Sequence, residues 1–149
     1  MSVITDVRIS SLWLLFWLLS GAVWASGLRF EDAEPIPLFD NPFSIDKQES
    51  DYYLKFELFE GEGVTVALTA HVNSGSMSFY AYQPDDQNNS FASATYIGNG
   101  ETKTASFTAK VGGTYWVKVT GSVGTADVAV YRAFFNAGVT DASRSFYST

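Results

Sequence analysis

The chain has 149 residues, of which 46% are hydrophobic and 16% aromatic, and it carries a formal net charge of −7. This composition is typical of a globular domain and argues against a disordered chain. The charge argues against nucleic acid as a partner, because binding through phosphates requires clustered Lys and Arg. The sequence contains no cysteine, which excludes disulfides, zinc–thiolate sites, a thiol nucleophile and a lipoprotein anchor.

Residues 1–25 have the pattern of a secretory signal peptide. Arg8 lies in a short polar start, an apolar run extends from Leu12 to Leu19, and small residues precede Ala25, after which we expect cleavage. The alternative is an uncleaved membrane anchor, but crossing a bilayer requires roughly 20 apolar residues. The sequence therefore predicts a secreted protein, extracellular or periplasmic, whose mature chain has no membrane span.

The acidic stretch 26–50 is predicted to be an ordered lead-in or edge segment. Pro35, Pro37 and Pro42 exclude a central strand there, because proline has no backbone N–H to donate to a ladder. A disordered linker would carry fewer aromatic residues. The apolar residues expected to pack along the side of a sandwich are Phe30, Ile36, Leu38, Phe39 and Phe43.

Two strongly alternating runs follow the lead-in. Residues 51–58 place four apolar or aromatic side chains on one face, and residues 64–72 place five apolar side chains on one face. Gly61 and Gly63 lie between the two runs, so the sequence predicts neighbouring strands joined by a short loop. The side chains predicted to point inward are Tyr52, Leu54, Phe56, Leu58, Val64, Val66, Leu68, Ala70 and Val72.

Further strands are predicted at 77–82, 94–97, 102–109, 114–120 and 127–131. The central one is 114–120, in which Tyr115, Val117 and Val119 share one face while Trp116, Lys118 and Thr120 share the other. Asn99-Gly100 indicates a hairpin, because both residues tolerate positive φ, and Ala105 and Phe107 are predicted to point inward. The fold class is therefore all-β, an antiparallel β-sandwich spanning residues 26–132.

Residues 133–149 show no strand period. They are predicted to be a tail or the start of a further module, with a short helix capped by Thr140 or Asp141 as one option. The tail either folds back over the sandwich or begins the remainder of a longer polypeptide, and the sequence leaves both open.

These strands resemble the bacterial pre-peptidase C-terminal (PPC) domain family. The likeness is carried by Asp51 before an aromatic strand, the Glu60-Gly61 turn, the Val-rich strand 64–68 and the Gly-x-Tyr-x-Val-x-Val pattern at 113–119. It covers roughly residues 30–132. The elements are individually common, and their order and spacing carry the resemblance.

The resemblance implies a jelly-roll-like β-sandwich on a secreted bacterial protein, with no catalysis of its own. Members of the family usually follow a secreted peptidase, and some relatives bind calcium or collagen. Here the domain follows the predicted signal peptide directly. A freestanding module, or the first module of a longer surface protein, therefore fits better than a protease tail.

Acidic residues are the first candidates for chemistry. Asp46, Glu49 and Asp51 are close enough in sequence to share a calcium ion, which takes several oxygen ligands. The favoured interpretation is a solvated edge that keeps the sheet soluble, because the loop pattern of a dedicated calcium site is absent. That edge comprises Glu49, Asp51, Glu57, Glu60 and Glu62. We expect no metal and no cofactor, with calcium as the alternative.

His71 is the single histidine and is predicted to lie exposed on the outward face of its strand. A catalytic histidine needs a nucleophile and an orienting carboxylate that converge on it. No nucleophile-elbow motif or metal-binding histidine pair accompanies His71. The sequence therefore predicts a protein that is not an enzyme; a small hydrolase would require a pocket that gathers His71 with a serine and an acid.

The outward aromatic residues are the more informative candidates, because flat rings on a rigid sheet can stack on sugars or anchor a protein partner. They are Tyr53, Tyr80, Tyr82, Trp116 and Tyr131. The competing interpretation is that the lead-in and the tail cover them. The sequence thus predicts a secreted accessory or binding module with a polymer or protein partner, the alternatives being a carbohydrate-binding module that uses these aromatics and a structural spacer.

Overall fold

The computed structural model describes residue 27, residues 29–37 and residues 42–133, which form nine β-strands and no helix. The predicted signal peptide and the helix expected near Thr140 or Asp141 lie outside the described residues. In chain order the strands are β1 (Glu34–Pro35), β2 (Phe43–Lys47), β3 (Tyr52–Leu58), β4 (Gly63–Val72), β5 (Met77–Tyr82), β6 (Ala92–Ile97), β7 (Thr102–Thr108), β8 (Gly113–Gly121) and β9 (Gly124–Ala133).

The strands form two sheets that enclose one core. The five-stranded sheet has the order β1-β3-β8-β5-β6, and the four-stranded sheet has the order β2-β9-β4-β7. Neighbouring strands are antiparallel except β1 and β3, which are parallel. The prediction of an all-β sandwich is confirmed.

Strand β8 lies at the centre of the five-stranded sheet, between β3 and β5. Its alternation divides the strand as predicted: Tyr115, Val117 and Val119 are at most 1% exposed and face the other sheet. The predicted inward residues of β3 and β4 also lie in the core, with Tyr52 packed at its margin. Burial of this apolar surface is the main source of stability of the fold.

Consecutive strands mostly belong to opposite sheets, which corrects two predictions. β3 and β4 are not neighbours, because the Gly61 turn carries the chain from one sheet to the other. Asn99-Gly100 does not close a hairpin either: Gly100 has the expected positive φ of 73°, but β6 and β7 lie in different sheets. In both places the turn residue was recognised correctly, whereas the partner of the strand that follows was not.

The lead-in, predicted to be an ordered lead-in or edge segment, supplies one edge strand to each sheet. β1 lies at the edge of the five-stranded sheet and β2 at the edge of the four-stranded sheet. Pro35 is compatible with this place because an edge strand can lack one donor. Ile36 and Ile45 are buried in the core, while Leu38 and Phe39 lie outside the described residues.

Glu62 is not part of a solvated edge, so that prediction is wrong for this residue. Its carboxylate is buried and accepts hydrogen bonds from Nε and, at 2.7 Å, from Nη2 of Arg132. The Phe59 amide donates a further bond at 2.9 Å. Burial opposes ionisation of Glu62, but these hydrogen bonds and the Arg132 charge outweigh it and lower the pKa of the carboxyl. Pairing with an arginine is what makes a buried carboxylate tolerable.

Lys47 is a second buried charged residue. It is the last residue of β2, and its side chain points inward. Its Nζ donates to the carbonyl oxygens of Gly121 at 2.7 Å and Gln48 at 3.0 Å. Burial lowers the pKa of this amine, and the nearby charge of Asp51 partly offsets the effect. The contact with Gly121 joins an edge strand of one sheet to the central strand of the other.

Candidate functional site

Four of the five predicted outward aromatics share the outer face of the five-stranded sheet. Tyr53 lies on β3, Trp116 on β8, and Tyr80 and Tyr82 on β5. In the pairing register, Tyr53 and Tyr80 flank Lys118, and Tyr82 lies beside Trp116. All four rings are half-buried. We call this surface, formed by Tyr53, Tyr80, Tyr82 and Trp116, the aromatic face.

Phe30 of the lead-in packs onto the aromatic face. Its ring centroid lies 4.7 Å from that of Tyr53, 5.0 Å from Tyr82 and 5.9 Å from Trp116, each in an edge-to-face arrangement. The lead-in therefore covers part of this surface, as the competing interpretation expected. Tyr80 takes part in none of the ring contacts within the described residues, so the cover is incomplete.

The indole Nε1 of Trp116 is buried without a hydrogen-bond partner among the described residues. An indole N–H can only donate, and buried donors are nearly always satisfied. The side chain as a whole keeps part of its surface in solvent. Trp116 thus combines a partly accessible ring with an unused donor.

Lys118 adds a fixed positive charge to this face. Its Nζ lies 3.0 Å from a carboxylate oxygen of Asp51 and 5.8 Å from the ring centroid of Tyr53. Burial disfavours the charge, but the hydrogen bond and charge of Asp51 outweigh it and raise the pKa of the lysine. The aromatic face therefore carries a cation and a carboxylate beside its rings.

Tyr131 does not belong to this group. It lies on β9, on the outer face of the four-stranded sheet, where it is 58% exposed and pairs in register with Thr65. The five predicted aromatics are thus divided between opposite sides of the sandwich. A single ligand on one sheet face could contact only the first four.

His71 lies on the four-stranded sheet and is exposed, as predicted. Its Nε2 is 3.0 Å from Asp127, whose other carboxylate oxygen accepts a hydrogen bond from Ser44. The three residue types of a hydrolytic triad are gathered here, but the carboxylate lies in the middle. A triad needs the histidine between the acid and the serine hydroxyl, so His71 is not placed to act as the general base of Ser44.

The bonds to Asp127 affect its own acidity. Hydrogen bonds from Ser44 and then from His71 lower the pKa of the Asp127 carboxyl. The side chains of His71 and Asp127 are 46% and 32% exposed, so the pair lies on an open surface. It acts as a polar contact that joins β2, β9 and β4.

Two of the three acidic residues considered for calcium are engaged by different partners. Asp51 pairs with Lys118, and Asp46 accepts a hydrogen bond of 2.9 Å from the side chain of Gln48. Within the described ranges, no three His, Cys, Asp or Glu residues are grouped so that they could hold a metal ion. The expectation of no metal, with calcium as the alternative, stays a prediction that only a binding measurement tests.

Sequence reasoning missed Lys118 and the role of Phe30. A signal for Lys118 was present, since strict alternation puts it on the same side of β8 as Trp116. Phe30 was expected to pack along the sandwich, but no local pattern indicated that it would cover the rings of Tyr53 and Tyr82. That contact joins residues distant in sequence.

Comparison with known proteins gives a structural likeness only. No family model and no curated protein matches the chain. Among solved structures, the pre-peptidase C-terminal domain of a collagenase from Bacillus anthracis matches with a TM-score of 0.52 and 20% identity, covering 69% of this chain and 98% of that one. A periplasmic inhibitor of g-type lysozyme from Aeromonas hydrophila, PliG, matches with a TM-score of 0.45 and 15% identity, over 68% and 96% of the two chains.

None of the described segments is a helix long and apolar enough to cross a membrane. The resemblance to PPC domains noted in the sequence is matched by the structural likeness to the collagenase domain. The fold of this chain is therefore a PPC-like all-β sandwich.

Proposed function

We propose that the chain is a secreted, non-catalytic binding module and that the aromatic face is its binding surface. The observation that carries the proposal is the grouping of four half-buried rings on three adjacent strands around Lys118. Buried donors without a partner are uncommon, and among the described residues the Nε1 of Trp116 has none. A ligand that offers both an apolar surface and acceptor oxygens would complement this face.

A carbohydrate polymer has this chemistry. The C–H faces of sugar rings pack on aromatic faces, while hydroxyl groups can accept from an ammonium and donate to a carboxylate. Lys118 and Asp51 lie beside the rings and could each bond a hydroxyl group. The acidic net charge makes a polyphosphate a poor ligand. The proposed ligand is therefore a neutral or weakly charged polysaccharide.

One observation favours a second function, that of a structural spacer. Phe30 covers part of the aromatic face, so these rings already bury surface against the lead-in. A spacer within a longer surface protein would need no ligand on this face. A binding module would be retained by a polymer, whereas a spacer would not.

The proposed secretion rests on the pattern of residues 1–25 and on the PPC-like fold. We propose cleavage after Ala25, which releases a mature chain beginning at Ser26. Mass spectrometry of the protein recovered from a bacterial host gives the N-terminus directly. An N-terminus at Met1 in the exported protein would contradict this part of the proposal.

Co-sedimentation of the chain from Ser26 onward with cellulose, chitin, peptidoglycan and collagen tests the proposed binding. We expect retention on one polysaccharide, reduced by Tyr80→Ala and unchanged by Tyr131→Ala. The two variants form a matched pair, because each removes an outward tyrosine but from opposite sheets.

Repeating the assay in calcium and in chelator decides whether Asp46, Glu49 and Asp51 contribute. Loss of retention in chelator would make them a ligand set. Retention on collagen alone would identify a protein partner instead of a polysaccharide. Retention on no polymer would favour the spacer.

A further inference from the structure

A cavity opens at one end of the sandwich. It has a volume of about 330 Å³ and is lined by Gln83, Phe91, Phe107, Thr108, Lys110 and Tyr115, which we call the end pocket. Its residues come from the loop between β5 and β6, the end of β7, the turn that follows β7, and β8. The end pocket is distinct from the aromatic face, because Tyr115 points to the interior side of β8.

Three aromatic rings form the walls of the end pocket. Phe107 and Tyr115 are nearly parallel, with centroids 5.9 Å apart, and Phe91 stands edge-on to both at 4.7 and 6.0 Å. Tyr115 is buried, and its hydroxyl donates to the Val111 carbonyl oxygen at 2.9 Å. The base of the pocket is therefore fixed, and its surface is largely apolar.

Phe91 forms the outer wall and is held by its backbone. It is 39% exposed, and its amide donates to the Ala81 carbonyl oxygen at 3.0 Å. Since the backbone bond does not depend on the side chain, the ring can be removed while the loop keeps its attachment. An aromatic ring exposed to this degree beside a cavity is available for a ligand to contact.

Lys110 is the one charged residue among those that line the end pocket. It is exposed and forms no ion pair within the described part of the chain. A positive charge at the rim of an aromatic cavity complements a ligand that has an apolar ring and an anionic group. Such pairing of apolar walls with a few polar groups is usual in small-molecule sites.

The volume limits the size of the ligand. Ligand cavities usually measure about 300–1,000 Å³, and one water occupies about 30 Å³ in the liquid. The end pocket therefore holds one ring with its first substituents and excludes an oligosaccharide. We propose that it binds an aryl or arylalkyl carboxylate, either as a free acid or as the phenylalanine carboxylate at the C-terminus of a peptide.

Saturation-transfer NMR with the purified protein tests this site with N-acetyl-L-phenylalanine as the probe. For a ligand of this size we expect a Kd on the order of 1 mM. N-acetyl-L-phenylalaninamide keeps the ring and lacks the charge, so it should bind about 2- to 5-fold more weakly, the effect of one exposed ion pair. N-acetylglycine lacks the ring and should not bind.

Variants identify the site. Lys110→Gln should abolish the preference for the acid over the amide, and Phe91→Ala should weaken binding by about 10-fold or more. Thr108→Trp places a large ring at the pocket from an exposed position and should block it even if Phe91→Ala folds poorly. Tyr96→Ala, which removes another exposed aromatic outside the pocket, should leave binding unchanged.

The peptide Gly-Gly-Gly-Phe with a free carboxyl end distinguishes the two sources of the ligand. Binding tighter than that of the free acid would indicate a peptide C-terminus, and weaker binding would indicate a small acid. The proposal is overturned if the acid does not bind to the folded protein at about 10 mM, tenfold above the expected Kd. It is also overturned if neither Phe91→Ala nor Thr108→Trp alters binding.

Discussion

The outer faces of the two sheets differ in kind. The five-stranded sheet carries the four half-buried rings of the aromatic face, covered in part by Phe30. The four-stranded sheet instead presents short hydroxyl side chains that bond one another across strands, as in the 2.8 Å contact of Thr65 with Ser106 and the 2.7 Å contact of Thr69 with Thr102. We call the second surface, formed by Ser44, Thr65, Thr69, Thr102, Thr104, Ser106 and Thr125, the hydroxyl face.

The two faces differ in how their side chains meet water. The hydroxyl face satisfies its polar groups internally and by solvent, and it has no cover among the described residues. The aromatic face exposes less ring surface than an open sheet would, because the lead-in packs onto it. Aromatic surface that is only partly covered is costly in water, and this cost is understandable if the surface binds something.

Truncation of a core side chain should cause the largest loss of stability. Phe79 and Tyr80 are adjacent on β5, but Phe79 is fully buried while Tyr80 lies on the aromatic face. Phe79→Ala should lower the free energy of unfolding by about 3–5 kcal/mol, the usual cost of a large cavity. Denaturant melts measure it. A loss as large for Tyr80→Ala would show that the aromatic face is part of the core.

Breaking the buried ion pair of Glu62 and Arg132 should cause the next largest loss of stability. Glu62→Gln removes the buried negative charge that pairs with Arg132, and we expect a loss of about 2–3 kcal/mol at neutral pH, below the full cost of a broken buried pair because Arg132 retains some solvent contact.

The pH dependence of the same variant follows from the lowered pKa of Glu62. The unfolded chain binds the proton more readily, so the contribution of Glu62 is complete above its ordinary value of about 4.3 and is lost as the pH falls through the lowered value. Stability curves between about pH 6 and pH 3 should therefore be flatter for Glu62→Gln than for the parent. Parallel curves would contradict the pairing with Arg132.

Uncovering the aromatic face should have a smaller effect on stability. Phe30→Ala removes three edge-to-face contacts and should lower the free energy of unfolding by about 1–2 kcal/mol. In the chain from Ser26 onward Trp116 is the single tryptophan, so its emission should shift to the red. Retention on the polymer should rise, because covered rings become accessible. A fall in retention would make Phe30 part of the binding surface.

The smallest effect is expected for Tyr131, which lies beside the hydroxyl face on the outer side of the four-stranded sheet. Tyr131→Ala removes an exposed ring and should change the free energy of unfolding by no more than about 0.5 kcal/mol. Thermal melts at neutral pH provide the measurement. If Tyr131→Ala lowered the free energy of unfolding as much as Phe30→Ala, the two outer faces would not differ in their contribution to stability.

Period-two alternation was enough to predict most of the sandwich. It identified the buried sides of β3, β4 and β8, because the pleat alone decides which residues share a face. It did not identify sheet partners, since β3 and β4 alternate in the same way whether they pair or cross between sheets. The Gly61 and Gly100 turns were therefore found, but where they lead was not.

The buried charges and the sites depend on contacts between distant residues. Glu62 looked like one acid among many until Arg132, 70 positions later, was placed beside it. Alternation along β2 points Lys47 inward, but only the fold supplies the Gly121 carbonyl oxygen that accepts its hydrogen bond. The aromatic face was predicted because its members follow strand alternation. The end pocket was not, because Phe91 and Lys110 come from a loop and a turn.

The fluorescence of Trp116 tests the central claim, that the aromatic face binds a polysaccharide. The chain from Ser26 onward is titrated with cellohexaose and chitohexaose while the emission of its single tryptophan is recorded. We predict a saturable change in emission with the hexaose of the polymer that retains the protein, weakened by Tyr80→Ala and unaffected by Tyr131→Ala. Emission that stays constant at saturating hexaose would place binding elsewhere and contradict the account.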